Sequence, residues 1–318
     1  MEGCSIDGTA PALLNLSKIA KFKVFLRRIS MRLRAFPIFS ARAALSVSAM
    51  LSAGLLATAL LTAPATAKDE APSDPCFDGK LSIKEVLDAC QAFIDKGNDD
   101  KKLLIRAHSV RAMGLSATGN LDDAMDEINA AVEIDPKRAN SYFMRAAAYD
   151  AKKDYDKAVA DLDTAIELKE DDADFYLLRG LVYSQKNDYD AALTDLNKKV
   201  KLDPKTTNGY SNRGELYRKR KEYDSALADY NKVIELDPES AKGYVDRGWI
   251  YVLQENLDKA GPDFDTALKL QATNALALVG RGVVKSRTGD ATDGSADLRM
   301  AEKLEPGVFE QVRALGVK

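Results

Sequence analysis

Apolar and small residues recur along most of this chain at helical spacing, in paired patterns separated by short polar breaks. In residues 139–172, Tyr142, Ala146 and Tyr149 fall at positions i, i+4 and i+7, which form one face of a helix. Polar residues that end in Asp154 interrupt the pattern. A second helical pattern follows at Tyr155, Ala158, Leu162, Ala165 and Ile166. The segment therefore predicts two helices joined by a turn, with the Asp154 carboxylate capping the second helix.

Both patterns recur at a fixed period of 34 residues. One column of the repeat is arginine: Arg111, Arg145, Arg179, Arg213, Arg247 and Arg281. An acidic residue lies 16 positions after each arginine: Glu127, Asp161, Asp195, Asp229, Asp263 and Asp297. We interpret the two columns as a structural charge ladder between paired helices or between neighbouring units. The alternative is that the arginines hold an acidic ligand, which the nearby carboxylates disfavour.

The columns of one unit resemble those of the tetratricopeptide repeat (TPR) family. They are Tyr210, Arg213, Gly214, Tyr217, Ala226, Tyr230, Val233 and Pro238. The resemblance covers residues 105–306 and implies an all-α fold, a right-handed solenoid of about six 34-residue helix–turn–helix repeats. The six units are 105–138, 139–172, 173–206, 207–240, 241–274 and 275–306.

Two units depart from the pattern, and both ends of the solenoid need caps. Pro262 is expected to kink or delay the second helix of the fifth unit, and Gly294 to loosen the sixth. A stacked repeat leaves apolar faces open at its ends. We therefore expect an N-terminal capping helix in residues 81–104, begun by a capping box of Ser82 and Glu85. Residues 307–318 are expected to form a short C-terminal capping helix.

Residues 1–67 have the composition of a secretory signal peptide with a basic extension. An apolar run at 43–63 contains no charge, and Ala65–Thr66–Ala67 is typical of a cleavage site. Met31 is an alternative translation start, and residues 68–80 form a linker. The leader predicts an exported bacterial protein, periplasmic or secreted. Alternatively, residues 43–63 stay uncleaved and anchor the protein in the membrane.

Cys76 lies before the first predicted helix and Cys90 within it, and we expect them to form a disulfide because the leader predicts export. The alternative is that Cys90 is a small buried residue and Cys76 a free thiol.

Few residues suggest catalysis or metal binding. The single histidine, His108, occupies a column that tyrosine fills in other units, so we expect it to pack rather than react. The sequence has neither a glycine-rich phosphate loop nor a nucleophile elbow. Its formal net charge is −3, and removing the basic leader makes it more negative, which disfavours nucleic acid. We expect no enzymatic activity, no cofactor and no metal.

The family resemblance implies that the first helix of each unit lines a concave groove. The groove residues that we expect to bind a partner are Phe143, Met144, Leu177, Leu178, Leu181, Asn212, Lys242, Val245 and Trp249. Large apolar side chains on an exposed face favour a protein or peptide partner. The alternative is that these side chains pack between adjacent units. The expected function is a non-catalytic binding scaffold of the cell envelope, or a membrane-anchored scaffold if the leader is retained. An enzyme with an unrecognised site is the third alternative, and the sequence offers it almost no support.

Overall fold

The computed structural model describes residues 74–317, which form α-helices and one short 3-10 helix at Pro75–Phe77. Predictions for the leader, including the apolar run at 43–63, lie outside the described residues. The helices are α1 (Ile83–Asp95), α2 (Lys101–Ala117), α3 (Leu121–Ile134), α4 (Ala139–Ala151), α5 (Tyr155–Leu168), α6 (Ala173–Gln185), α7 (Tyr189–Leu202), α8 (Thr207–Lys219), α9 (Tyr223–Leu236), α10 (Ala241–Leu253), α11 (Leu257–Leu270), α12 (Ala275–Thr288), α13 (Ala291–Leu304) and α14 (Val308–Ala314).

The helices from α2 to α13 pack as six consecutive pairs. Each pair consists of a first and a second helix, and each second helix also packs against the first helix of the next pair. Such nearest-neighbour packing builds one continuous core from units that cannot bury their apolar faces alone. The prediction of an all-helical solenoid of about six repeats is confirmed.

A left-handed backbone residue marks the turn inside every unit. Non-glycine residues occupy it with φ near 60° at Lys153, Asn187, Lys221 and Glu255. Glycine takes the same place at the ends, at Gly119 and Gly289. This conformation reverses the chain between the two helices of a unit, so the turn geometry repeats from unit to unit.

The expected side-chain cap at Asp154 is wrong. The Asp154 side chain makes no capping hydrogen bond to α5 and pairs instead with Lys157, at 2.7 Å. At the same position of other units, Asp188 accepts from the backbone N–H of Ala191 and Asp290 from that of Asp293. Side-chain capping at this column therefore differs from unit to unit, since Asn120, Glu222 and Asn256 also make no capping bond.

The arginine column joins the two helices of each unit through paired hydrogen bonds. Arg213 donates from Nε to Asp229 Oδ2 at 2.9 Å and from Nη2 to Asp229 Oδ1 at 2.6 Å. Units two, three, five and six repeat the arrangement with their own arginine and aspartate. In the first unit, Arg111 pairs with Glu127. Two parallel N–H···O bonds fix geometry in a way that a single contact does not.

The same arginines also connect each unit to the one before it. Arg213 Nη1 donates to Asn197 Oδ1 at 2.7 Å, and Asn197 belongs to the second helix of the preceding unit. The corresponding acceptors in the other units are Asn129, Asp163, Asn231 and Asp265. The charge ladder therefore joins the paired helices within a unit and also joins neighbouring units. Both arrangements considered from the sequence occur.

The second helix of the fifth unit is not delayed, and the sixth unit is closely packed. Helix α11 begins at Leu257, as its repeat position requires, and continues through Pro262 to Leu270. In the sixth unit, a Cβ added to Gly294 would lie 2.7 Å from the Gly282 carbonyl oxygen. The two glycines let α12 and α13 approach more closely than larger residues would allow. The expectation of a loose sixth unit is therefore wrong.

Both ends of the repeat are covered. At the amino-terminal end, α1 begins with the Ser82–Glu85 capping box and packs on α2. A disulfide joins Cys76 to Cys90 and ties the 3-10 helix to α1. For a loop of this length, cross-linking stabilises the folded state by about 3 kcal/mol in the chain-entropy model. At the other end, Val308 and Val312 of α14 are buried, chiefly against α12.

Six of the seven apolar residues expected to line an open groove lie in the core instead. They are Phe143, Met144, Leu177, Leu178, Val245 and Trp249, each at most 8% exposed. Leu177 clusters with Leu196 of α7 and Leu216 of α8, and the Trp249 and Phe264 rings lie 5.2 Å apart. The expectation of an apolar floor open to a partner is wrong for these six, because neighbouring helices cover them.

A single and a double variant test the ladder. Replacing Arg213 with Met leaves the Asp229 carboxylate buried without its cation, so we expect the free energy of unfolding to fall by about 2–4 kcal/mol. Combining Arg213→Met with Asp229→Leu removes the isolated charge and should cost less than Arg213→Met alone. Urea unfolding measures both. Lys232→Met breaks an exposed pair and serves as the control, with no measurable effect. A double mutant less stable than Arg213→Met would contradict this account.

A second comparison separates core residues from surface residues. Leu177→Ala removes a fully buried side chain and should lower the free energy of unfolding by about 3 kcal/mol. Leu181, one turn further along α6, is only half-buried. Its replacement by alanine should cost about 1 kcal/mol. Equal losses in thermal or urea unfolding would show that the two side chains are equally covered.

Candidate binding surface

Three of the residues expected in the groove keep accessible side chains. Leu181 and Asn212 are half-buried and Lys242 is exposed. Asn212 donates from Nδ2 to the Asn208 carbonyl at 2.8 Å, and Lys242 pairs with Asp246 one turn further along α10. The accessible part of the first helices is therefore mostly polar.

Residues 308–317, which we call the return segment, extend from α14 back towards the middle of the repeat. The carbonyl oxygen of Leu315 accepts a hydrogen bond of 2.7 Å from Nη1 of Arg218, which lies in α8 two units earlier. Leu315 and Val317 pack against the apolar cluster that contains Val252. The segment therefore contacts the fourth and fifth units as well as the sixth.

A cavity of about 600 Å³ lies beside the return segment, which we call the return pocket. Its wall contains Lys219 at the end of α8, the turn residues Lys221 and Glu255, and Leu253 at the end of α10. Further lining residues are Tyr189, Arg218, Tyr223, Val252, Arg287 and residues 314–317. The pocket thus lies where the turns of units three to five meet the return segment.

Cations outnumber carboxylates in the wall of the return pocket. Arg218, Lys219, Lys221 and Arg287 line it together with a single carboxylate, that of Glu255. This balance is opposite to that of the whole chain, which carries a net charge of −3. Clefts lined by one sign of charge concentrate ligands of the opposite sign. Because Glu215 pairs with Arg218, the accessible positive charge of the wall comes chiefly from Lys219 and Lys221.

Arg218 is held in place before any partner arrives. It donates from Nε and Nη2 to the two Glu215 oxygens, at 2.8 and 2.5 Å. Burial disfavours the charged guanidinium, but pairing with Glu215 outweighs this, so the pKa of Arg218 is raised. Arg218 therefore stays charged, with Nη1 directed at a backbone carbonyl.

Asp246 extends this charged cluster along α10. Burial raises the pKa of the Asp246 carboxyl, and the Glu215 carboxylate raises it further, against the opposing effects of Lys242 and Arg218. Arg218 thus lies among carboxylates on two neighbouring first helices. The cluster gives the surface fixed hydrogen-bonding groups, which suit the recognition of a peptide backbone.

The other charged groups singled out by the sequence serve packing. His108 Nδ1 lies 2.8 Å from Glu127 Oε2, beside Arg111 in the ladder. Lys199 is buried, and its ammonium group pairs with Asp174 and Asp203. Residues 74–317 contain no group of three or more histidine, cysteine or acidic residues arranged to hold a metal. Within the same range, no helix has the length and apolar character needed to cross a membrane.

The sequence predicted a short capping helix in residues 307–318 but gave no sign that the return segment reaches Arg218. No local pattern indicates a contact between residues 97 positions apart. The non-glycine residues with positive φ, Lys221 and Glu255 among them, also escaped notice because their side chains are ordinary for a helix end.

The comparisons with known proteins agree with this architecture. A tetratricopeptide repeat family model matches residues 207–240, another matches 173–206 and 241–274, and a TPR repeat model matches 148–187. The comparison with curated proteins gives no significant match.

Several solved structures share the fold. Pseudomonas aeruginosa pilF is 17% identical, with a TM-score of 0.59 over 69% of this chain and 99% of that chain. A tetratricopeptide repeat protein from Parabacteroides merdae is 20% identical, with a TM-score of 0.57 over 74% of this chain and 93% of that one. A chain of the APC/C hetero-tetramer Cut9–Hcn1 is 14% identical, with a TM-score of 0.55 over 74% and 52%. The family models therefore identify residues 148–274 as tetratricopeptide repeats, and the solved structures share the helical-repeat fold.

Proposed function

We propose that this protein is a non-catalytic scaffold that binds a segment of a partner protein at the return pocket. The observation that carries the proposal is the hydrogen bond from Arg218 to the Leu315 carbonyl, in which a fixed cation holds a peptide backbone. A side chain that recognises a main-chain carbonyl accepts many sequences. The TPR fold supports this role, because such repeats generally mediate protein or peptide interactions.

The charges of the pocket favour a partner with acidic side chains. Lys219 and Lys221 line the pocket where α8 ends and turns into α9. Complementary charge raises the association rate and disfavours partners of the wrong sign. Val252 and Leu253 supply an apolar surface beside these cations. We therefore propose a partner segment that combines acidic with aliphatic residues.

A charge-reversal pair tests this proposal. The probes are two fluorescein-labelled twelve-residue peptides, one alternating leucine with glutamate and the other leucine with lysine. We expect the acidic peptide to bind about tenfold more tightly in fluorescence anisotropy at low salt. The double variant Lys219→Glu/Lys221→Glu should abolish this preference. Glu255 occupies the position of Lys221 in the next unit with the same φ, so the turn tolerates glutamate.

Lys269→Glu/Lys303→Glu is the matched control, because it changes the net charge equally and both lysines are exposed, on α11 and α13, outside the pocket. Its preference for the acidic peptide should equal that of the wild type. Equal affinity of the wild type for both peptides would refute the proposed partner chemistry. A loss of preference in the control would show that overall charge, rather than the pocket, attracts the peptide.

We further propose that the scaffold works in the cell envelope after cleavage of the leader. The support is the order of basic, apolar and small residues in 1–67. The Cys76–Cys90 disulfide is consistent with an oxidising compartment. The alternative is a membrane-anchored scaffold that retains residues 43–63.

Fractionation of the native host distinguishes these alternatives. We expect the protein in the periplasmic or secreted fraction, with Lys68 as its first residue in amino-terminal sequencing, because Ala65–Thr66–Ala67 directs cleavage. Retention of the uncleaved chain in salt-washed membranes would favour the anchor. Recovery in the cytoplasm would overturn both forms of the proposal.

A further inference from the structure

The return segment fills part of the surface that a partner would use. The Arg218 guanidinium donates to the Leu315 carbonyl, and residues 314–317 form one side of the pocket. The chain itself therefore supplies the backbone acceptor and aliphatic side chains that the pocket can recognise. Its contacts are a direct observation of what kind of segment fits there.

The contacts of this segment weaken beyond α14. Val308 and Val312 are buried, whereas Leu315 and Val317 are half-buried and Ala314 and Gly316 are exposed. Helix α14 thus anchors the segment against the sixth unit. Partly exposed contacts open at low free-energy cost compared with the core. Residues 314–317 can therefore leave the pocket while the rest of α14, anchored by Val308 and Val312, remains docked.

Gly316 sets the direction of the segment over the pocket. Its φ of 91° is a conformation that other residues rarely adopt. A Cβ added there would meet only Leu253 Cδ2, at 4.0 Å. Space therefore permits a side chain, and the backbone conformation alone favours glycine. A substitution at Gly316 can therefore destabilise the docked backbone of the return segment without disturbing the side chains that line the return pocket.

We propose that residues 314–317 are a displaceable resident of the return pocket, and that a partner docks there by replacing them with an aliphatic segment of its own. The incoming segment places a leucine or valine against Val252 and Leu253 and offers its backbone carbonyl to Arg218. The inference rests on the proposed function and adds that residues 314–317 compete with the partner's segment for the return pocket. Apparent affinity for the partner falls in proportion to the fraction of molecules with an open pocket.

The test uses a fluorescein-labelled peptide with the sequence of residues 308–317 and the full chain as receptor. Leu315→Arg removes an aliphatic contact and places another cation beside Arg218, so the resident segment should leave the pocket. We expect this variant to bind the peptide about tenfold more tightly than the wild type in fluorescence anisotropy. A peptide with arginine in place of its own leucine should not bind.

A milder pair of variants guards against misfolding of Leu315→Arg. Gly316→Ala strains only the docked backbone and should strengthen peptide binding about threefold. Gly97→Ala is the matched control, because Gly97 has a φ of 68°, open space around it and a position beyond α1. It should leave peptide binding unchanged. Thermal unfolding of each variant reports whether the repeat remains folded.

Arg218→Gln, added to Leu315→Arg, should weaken the gained binding because it removes the charged donor to the peptide carbonyl. Unchanged peptide affinity in both Leu315→Arg and Gly316→Ala, with the repeat folded, would overturn the displacement proposal. A preserved preference for the acidic probe would then leave the proposed function standing. If the variants bind the return-segment peptide more tightly but the wild type does not prefer the acidic probe, the proposed acidic partner chemistry is wrong. The return pocket would still stand as the docking site.

Discussion

The bidentate pairing of an arginine with a buried aspartate, present in five of the six repeats, is the constraint on which the rest of the structure depends. Asp229 is 4% exposed, and a carboxylate at that depth destabilises the fold unless a cation satisfies it. Arg213 does so while also reaching Asn197 in the preceding unit. Lysine has no planar fork and could not make these three contacts in the same directions. The pairing thus fixes the helices within a unit and the register between units.

The same regularity explains why the fold could be predicted and the surface could not. Arginine and acidic columns recur at one period, so the helix pairs and their stacking followed from the sequence. Exposure of the groove residues depends on which side chains face them from the next helix. Leu177 is covered by Leu196 and Leu216, whereas Leu181, on the same helix, remains half-buried. Spacing along one helix does not contain that information.

In the turns, the capping prediction was limited because neighbouring side chains compete for the same carboxylate. Asp154 is a favourable cap by residue type, yet Lys157 takes its carboxylate. Asp188 occupies the same column and does cap its helix. Lys221 adopts a positive φ that glycine would have signalled. At such positions the outcome depends on small energy differences between neighbouring groups, which residue type alone does not determine.

The return segment makes the otherwise similar repeats differ from one another. Because every unit repeats the same packing, the repeat alone offers similar surfaces at several places. Leu315 reaches Arg218, whereas the equivalent residue of the next unit, Val252, is apolar and contributes only packing. The segment thus makes one site along the solenoid different from the others. A folding constraint common to the units and a contact restricted to one of them together make one place on a regular solenoid unlike the rest.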